Sequence, residues 1–355
     1  LTKKLTTGGT VVLSTNLDRQ LQQDEGDLQF TPNPGVRPQF ALELSQPILR
    51  GFGEEVNLAN VYIADKLEES AVEGVRGQLI QTITDTEVAY WNLALAWRDL
   101  AIQEWMVEAA EELLSIIDRR RNYDANIADW AQAVATVEQR RSQIINFQQA
   151  VKQASDILKQ LMNSPDIPLS GEAVLEPTDE MVHLPIQLEL RETLLTAIAN
   201  RPDVRQSLYS IDIAKINEVV ADNGRLPELD FQASVNTKGL GGTYHDGYSE
   251  AFTGSFISYI VGLVFEYPLG NRAPEAAYRE SRLERSAAVV DYRQTLLQVV
   301  LDVKTSMRQV MDNAQLIPAT RAARVATAES LRALEVERQT LASLTPTFLN
   351  LIFST

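Results

Sequence analysis

Between Pro47 and Pro165 the chain has no proline, and from Gln78 to Ser164 it has no glycine either. Proline removes a backbone donor and clashes with the preceding turn, and glycine in a helix interior costs about 1 kcal/mol against alanine, so such a stretch is strongly helical. Within it Thr86, Leu93, Leu100, Val107 and Leu114 recur at heptad intervals, with Ile83, Tyr90 and Trp97 between them. This is the three-four spacing of a packed coiled-coil seam. It predicts one helix from about Glu54 to Arg121, on the order of 100 Å long at 1.5 Å per residue, far beyond a compact domain. The polar cluster "RRNYDANIAD" from Arg120 to Asp129 reads as a turn, after which the helical pattern resumes to Met162 as the return arm of a hairpin.

The second half repeats the plan. "FALELSQPILRGFG" from Phe40 has its counterpart in "YIVGLVFEYPLGNR" from Tyr259: a strand, a proline, a Gly-containing turn, then a helix. "KLEESAVE" in the first long helix is echoed by "RLERSAAVV" in the second, an internal duplication with a period of roughly 220 residues, too long for a solenoid repeat. Pro318 lies inside the second helix and is expected to kink it or locally remake its bonding. Between the halves a Pro-rich connector leads to two shorter helices split by "NRPDV". The expected segments are a first β-hairpin (1–53), a first long helical hairpin (54–164), the connector and short helices (165–224), a second β-hairpin (225–270) and a second long helical hairpin (271–355).

Four strands are expected, at about Thr10–Arg19, Gln39–Gln46, Leu229–Thr237 and Ile257–Tyr267, joined in pairs by polar Gly/Pro-containing loops. Their alternation is regular. Phe40, Leu42 and Leu44 oppose Ala41, Glu43 and Ser45; Leu229, Phe231 and Val235 oppose Asp230, Gln232 and Ser234; Tyr259, Val261, Leu263 and Phe265 share one side of the last strand. Such two-faced strands fit either of two arrangements. The greasy faces could meet each other in a small water-soluble sandwich on a helical stalk. Alternatively lipid covers them and the polar faces line a lumen, in which case four strands cannot close alone and copies of the chain must complete one barrel.

Composition narrows the partners. The formal net charge is −16 and the pI about 4.7, which argues against nucleic acid, since phosphate binding draws on clustered Lys and Arg. Cysteine is absent, so the chain carries no disulfide and no thiolate metal site. No apolar stretch approaches the roughly 20 residues of a membrane-spanning helix. The opening "LTKKLTTGGTVVLSTN" reads as if cut from a longer chain, with any targeting signal upstream.

Catalytic constellations are not found. His183 and His245 lie in the connector and a loop, and neither sits at metal-ligand spacing with another His, so surface histidines are expected. "GLGG" from Gly239 runs into "TYHDG" and lacks the lysine of a phosphate-binding loop. Adjacent carboxylates such as Glu68 and Glu69 point to different sides of a helix and make poor acid–base pairs. Trp91, Trp97, Trp105 and Trp130 suit seam and interface packing. No cofactor and no enzyme activity are expected.

"LSQPILRGFG", "EVAYWNLALAWRDLAIQEWMVEAAEELL", "NRPDV", "ADNGRLPELDFQASV" and "GLVFEYPLGNR", in this order, resemble the outer membrane efflux proteins, the TolC-like channel-tunnels of Gram-negative bacteria. The resemblance extends over essentially the whole chain and respects the duplication. It implies a mainly α fold with transmembrane β: long antiparallel helical hairpins forming a tunnel, and four strands from each chain of a homotrimer in a shared twelve-stranded outer-membrane barrel, with the tunnel reaching into the periplasm. It implies a passive exit duct for efflux or type I secretion, working with a periplasmic adaptor (membrane fusion protein) and an inner-membrane pump. A soluble periplasmic coiled-coil adaptor is the alternative. By the same resemblance Phe40, Leu42, Leu44, Leu229, Phe231, Val235, Tyr259, Val261, Leu263 and Phe265 face outer-membrane lipid. Asn350 and Phe353 fall where some members carry aspartate rings at the pore constriction, so the gate here would be amide and aromatic. Tyr123, Asp124, Asn126, Ile127, Asp129, Thr345 and Pro346 are the expected adaptor-contacting tips, with Asn126 at a glycine position, where its tolerance of left-handed backbone would preserve the turn. Against the family pattern, the chain lacks the helix before the first strand and the final helix, so it is expected to be a fragment.

Overall fold

The computed structural model describes residues 1–21, 32–121, 126–179 and 188–340. In chain order the elements are β1 (Thr2–Lys4), β2 (Thr10–Gln20), β3 (Gly35–Pro47), α1 (Glu54–Asn57), α2 (Ala59–Arg120), α3 (Ile127–Met162), α4 (Leu190–Asn200), α5 (Pro202–Asn223), β4 (Glu228–Lys238), α6 (Tyr244–Thr253), β5 (Ile257–Glu266) and α7 (Arg272–Thr340). They fall into two units. One takes Leu1–Gly74 and Asn200–Gln298, the other Val75–Ala199 with the chain from Val299, so α2 and α7 contribute to both.

The first unit holds a single antiparallel sheet in the order β1-β2-β3-β4-β5. The expected pairing of two hairpins is present, and β3 joins them by pairing with β4. Among the described residues there is no second sheet to face the first, so the sandwich expectation is overturned. Two elements were not anticipated. β1 is a fifth strand, only three residues long, and its "TKK" carries no alternation to detect. The supposed polar loop after β4 contains α6, capped by Thr243, whose Oγ accepts from the Asp246 amide at 3.3 Å, and ended by Gly254 at φ +82°. The glycines before α6 explain its position. A Cβ on Gly239 would lie 2.0 Å from the Gly247 carbonyl oxygen, and one on Gly241 would lie 2.2 Å from the Gly247 nitrogen. "GLGG" therefore serves close backbone approach, with α6 laid directly on the strand ends.

Each half turns from strand to helix through left-handed backbone, at Gly51 and Gly53 in the first corner and at Gly270 and Asn271 in the second. At the first corner the expected unbroken helix is divided at Leu58. Asn57 turns its amide back onto the carbonyls of Gly51 and Gly53, which ties α1 to the corner. At the second, the Asn271 amide donates to the Arg225 carbonyl, while the Arg225 guanidinium binds Asp222 and Glu275 and stacks over Tyr278. Helix α7 continues through Pro318, and the Thr320 hydroxyl donates to the carbonyls of Leu316 and Ile317 just ahead of it.

The second unit is built on the α2–α3 hairpin. Its core packs Ala89, Leu93, Leu100, Val151 and Leu158 with Tyr90, Trp97, Phe147 and Leu175, and a smaller cluster gathers Leu113, Ile117 and Ala133 with Trp130. The heptad seam is thus present from Thr86 onward, with Leu93 only 1% exposed. Ile83 is 59% exposed and does not belong to it, and beyond Val107 the buried positions are Ala110, Leu113 and Ile117. Arg141 of α3 reaches across the hairpin to Glu111 of α2 at 2.8 Å, an exposed pair that solvent screens.

Candidate functional site

In an antiparallel pair directly opposed residues lie on the same face, so the register shows how far the alternation is shared across the sheet. Leu13, Leu42, Val235 and Tyr259 are opposed in turn across β2 to β5, and so are Val11, Leu44, Ala233 and Val261. Below these rows Phe231 opposes Leu263, and Leu229 opposes Phe265; above them Phe40 opposes Thr15 and Thr237. All ten residues expected on the greasy side therefore fall on one face. Leu42, Val235, Tyr259, Val261, Leu263 and Phe265 are exposed, and Leu44, Leu229 and Phe231 are half-buried. Phe40 is covered in part by α6, with the rings of Phe252 and Tyr248 centred 5.1 and 6.0 Å away. Val11 and Leu13 of β2 complete the face and were missed because "TVVLSTN" reads as a mixed pattern until its partner's register is known.

The opposite face carries Ser14 and Asn16 of β2, Glu43 of β3, and Asp230, Gln232, Ser234 and Asn236 of β4. Val12 of β2 and Ala41 of β3 are apolar positions on this face, and β5 is the least polar of the four longer strands there, with Ile260, Gly262 and Val264 between Ser258 and Glu266. Acidic groups gather toward the helix end of the sheet, where Glu228 opposes Glu266 and takes an ion pair from Arg50. Arg37 and Lys238 lie toward the other end.

At the hairpin end Asn126 is the N-cap of α3. Its backbone is extended at φ −75° and its Oδ1 accepts from the Ala128 amide at 3.2 Å, so it caps the helix and does not supply the left-handed turn residue expected of it. Ile127 is exposed and Asp129 lies in the first turn. Trp130 is braced beside them: its indole donates to Asp118 at 3.1 Å and Arg121 lies 4.7 Å over its ring. Tyr123, Asp124, Thr345, Pro346, Asn350, Phe353 and His183 lie outside the described residues.

Residues 163–179 of the connector are fastened to the hairpin by four side chains that the sequence did not single out for this task. The Trp97 indole donates to the Leu175 carbonyl at 2.8 Å, and the Leu175 amide donates to Ser155 Oγ at 3.0 Å. Lys159, 3% exposed, donates to the Gly171 carbonyl at 3.0 Å and faces Asp156 at 3.4 Å. The Tyr90 hydroxyl donates to Asp179 at 2.7 Å, which raises its pKa above the usual tyrosine value because the carboxylate favours the protonated phenol.

Among the described residues no helix is long and apolar enough to cross a membrane, and no group of His, Asp and Glu is placed to hold a metal ion. Solved structures share this fold. The outer membrane protein VceC from Vibrio cholerae is 15% identical with a TM-score of 0.73 over 98% of this chain and 80% of that one. A membrane protein from Pseudomonas aeruginosa is 19% identical with a TM-score of 0.71 over 98% and 78%. The CmeC outer membrane channel of Campylobacter jejuni is 18% identical with a TM-score of 0.66 over 98% and 75%. No curated protein matches the chain. The family described as outer membrane efflux protein matches residues 10–164 and 194–340. Over most of its length, then, and in both repeats, the chain belongs to the outer membrane efflux protein family.

Proposed function

We propose that this outer-membrane efflux protein works as a homotrimer, its copies closing one barrel in lipid and one helical tunnel, as a passive exit duct. The observation that carries this reading is the shared register: one face of a single open sheet is largely apolar from β2 to β5, and the other is largely polar from β2 to β4. Open sheet edges are not tolerated in hydrocarbon, because each unpaired backbone group there costs several kcal/mol, so other copies must pair with them. Phe40 and Tyr259 lie toward one end of the greasy face and Phe231 and Phe265 toward the other, with the row Leu44, Ala233 and Val261 between them, an order that fits aromatic residues near both membrane interfaces.

In this reading the polar face lines the lumen, an inner-membrane pump supplies the energy, and no cofactor is needed. A periplasmic adaptor docks at the hairpin tips, through Asn126, Ile127 and Asp129 among the described residues and Tyr123, Asp124, Thr345 and Pro346 beyond them. Asn350 and Phe353 narrow the pore. The sequence segments 1–53, 54–164, 165–224, 225–270 and 271–355 then serve as first barrel hairpin, first tunnel hairpin, equatorial connector, second barrel hairpin and second tunnel hairpin. Light scattering on the full-length protein extracted in detergent, corrected for bound detergent, tests the reading. Three protomers per particle are expected. A monomer that stays in solution without detergent overturns it.

A further inference from the structure

α6 lies on the greasy face of the sheet, at the strand ends remote from the strand–helix corners. Toward the sheet it turns Tyr244, Gly247, Tyr248, Ala251 and Phe252, which share one helical face. Gly247 and Ala251 are buried there: a Cβ on Gly247 would lie 3.1 Å from Pro38 Cδ, and the Thr237 hydroxyl donates to the Ala251 carbonyl at 2.6 Å. Tyr248 and Phe252 close over Phe40, and the Arg19 guanidinium lies 6.0 Å over the Tyr244 ring. Arg19 opposes Val36, Leu17 opposes Pro38, and Phe40 opposes Thr15 and Thr237, so every strand side chain that meets α6 has the parity of Leu42 and Val235.

We infer that α6 is an interfacial helix resting at the outer-leaflet boundary of the outer membrane, with its polar side among lipid headgroups and Phe252 in the upper acyl region. It thereby fixes how deep the barrel sits. This rests on the barrel proposed above, which puts this face of the sheet against lipid.

Two opposing limits place the helix. The side turned away from the sheet carries His245, Asp246, Ser249, Glu250 and Thr253, and charged groups on a lipid-facing surface are tolerated only toward the interfaces. α6 therefore cannot descend into hydrocarbon. Phe252, however, is 73% exposed even with the Phe40 ring beside it, and Ile257 and Tyr259 are exposed on the same face at the start of β5. Water is an unfavourable neighbour for such a surface, so the helix cannot stand clear of the bilayer either. Val36 and Pro38 are already buried beneath α6, so on β3 the surface left for lipid begins at Phe40. Tyr244 and Arg19 supply the amphipathic ring and the long-stemmed cation that suit the headgroup level.

Because the chain has no cysteine, single introduced cysteines can carry an environment-sensitive fluorophore without background. The full-length protein would be placed in vesicles of phosphatidylethanolamine and phosphatidylglycerol containing lipid with a nitroxide on the headgroup, high on the acyl chain or at its end. The label on Phe252→Cys is expected to lose fluorescence most to the nitroxide high on the acyl chain. The label on Ser249→Cys is expected to lose it to the headgroup nitroxide and to aqueous iodide. Quenching of the Phe252→Cys label by iodide alone would put α6 in water, and no quenching by lipid or iodide would put it under protein; either overturns the inference. Val261→Cys, in the middle of the greasy face, separates the two readings, since its label is expected to respond to the nitroxide at the chain end. If no lipid nitroxide reaches that label, the barrel reading falls instead.

Discussion

At the scale of single residues, the most constrained position is Gly8. Its left-handed backbone and its approach to the Gly51 carbonyl leave no room for a side chain, and the clash is with backbone, which cannot swing aside. Gly8→Ala is expected to cost more than the ~1 kcal/mol usual for a strained glycine, read as a several-fold lower yield of folded protein in the outer membrane; Gly53→Ala, with nothing near its Cβ, is expected to cost less. Tyr90 offers a second reading. Its raised pKa means that the protonated phenol is favoured in the folded chain, so its contribution is complete below the ordinary value near 10 and is lost as pH rises through the raised one. The connector is expected to loosen in the alkaline range, visible as increased proteolysis near Asp179, and Tyr90→Phe is expected to show that susceptibility already at neutral pH. Neither role was legible in the sequence. Gly8 looks like any hairpin glycine until Gly51 is brought beside it, and Tyr90 was read as seam packing because its partner lies 89 positions away.

Secondary-structure elements were read more faithfully, because they depend on local periodicity. The α2–α3 hairpin, the two short helices split at Pro202 and the four longer strands lie close to where the spacing put them. The seam illustrates both success and limit. Leu93 and Leu100 are buried as the heptad requires, whereas Ile83 is at the right interval but has no helix opposite it, since α3 ends at Met162. Leu93→Ala is expected to destabilise the hairpin by about 2–5 kcal/mol, seen as a lower denaturant midpoint for loss of helical circular dichroism. Ile83→Ala in the same assay on dissociated chains is expected to move it little, within ~0.5 kcal/mol. β1 and α6 escaped notice for opposite reasons: β1 is too short to show a period, and α6 has Gly247 in its middle, needed so that the helix can rest against Val36 and Pro38.

For the molecule as a whole, charge is the property with the broadest reach. A net charge of −16 and a polar face bearing Glu43, Asp230 and the Glu228–Glu266 pair predict a lumen that prefers cations, since a narrow aqueous passage focuses the field of one sign. Bilayer recordings across a salt gradient are expected to give a reversal potential on the cation side, reduced by Glu43→Gln with Asp230→Asn. Equal permeability to both ions would remove the prediction. The family was legible in the sequence because its motifs sit at the strand–helix corners and the helix seams, where geometry restricts the choice of residue. The tip turn was only partly legible: asparagine suits both a left-handed turn and an N-cap, and the structure uses Asn126 as the cap.

The regular register of the sheet also bears on manufacture. Side chains alternate with a period of two, so pairing displaced by one residue would exchange the faces and turn Glu43, Asp230 and Asn236 outward while Leu42 and Val235 turned inward. Such a sheet could not settle into hydrocarbon, where outward charges are unfavourable. In the proposed barrel, then, Glu43 and Asp230 also disfavour a chain paired out of register.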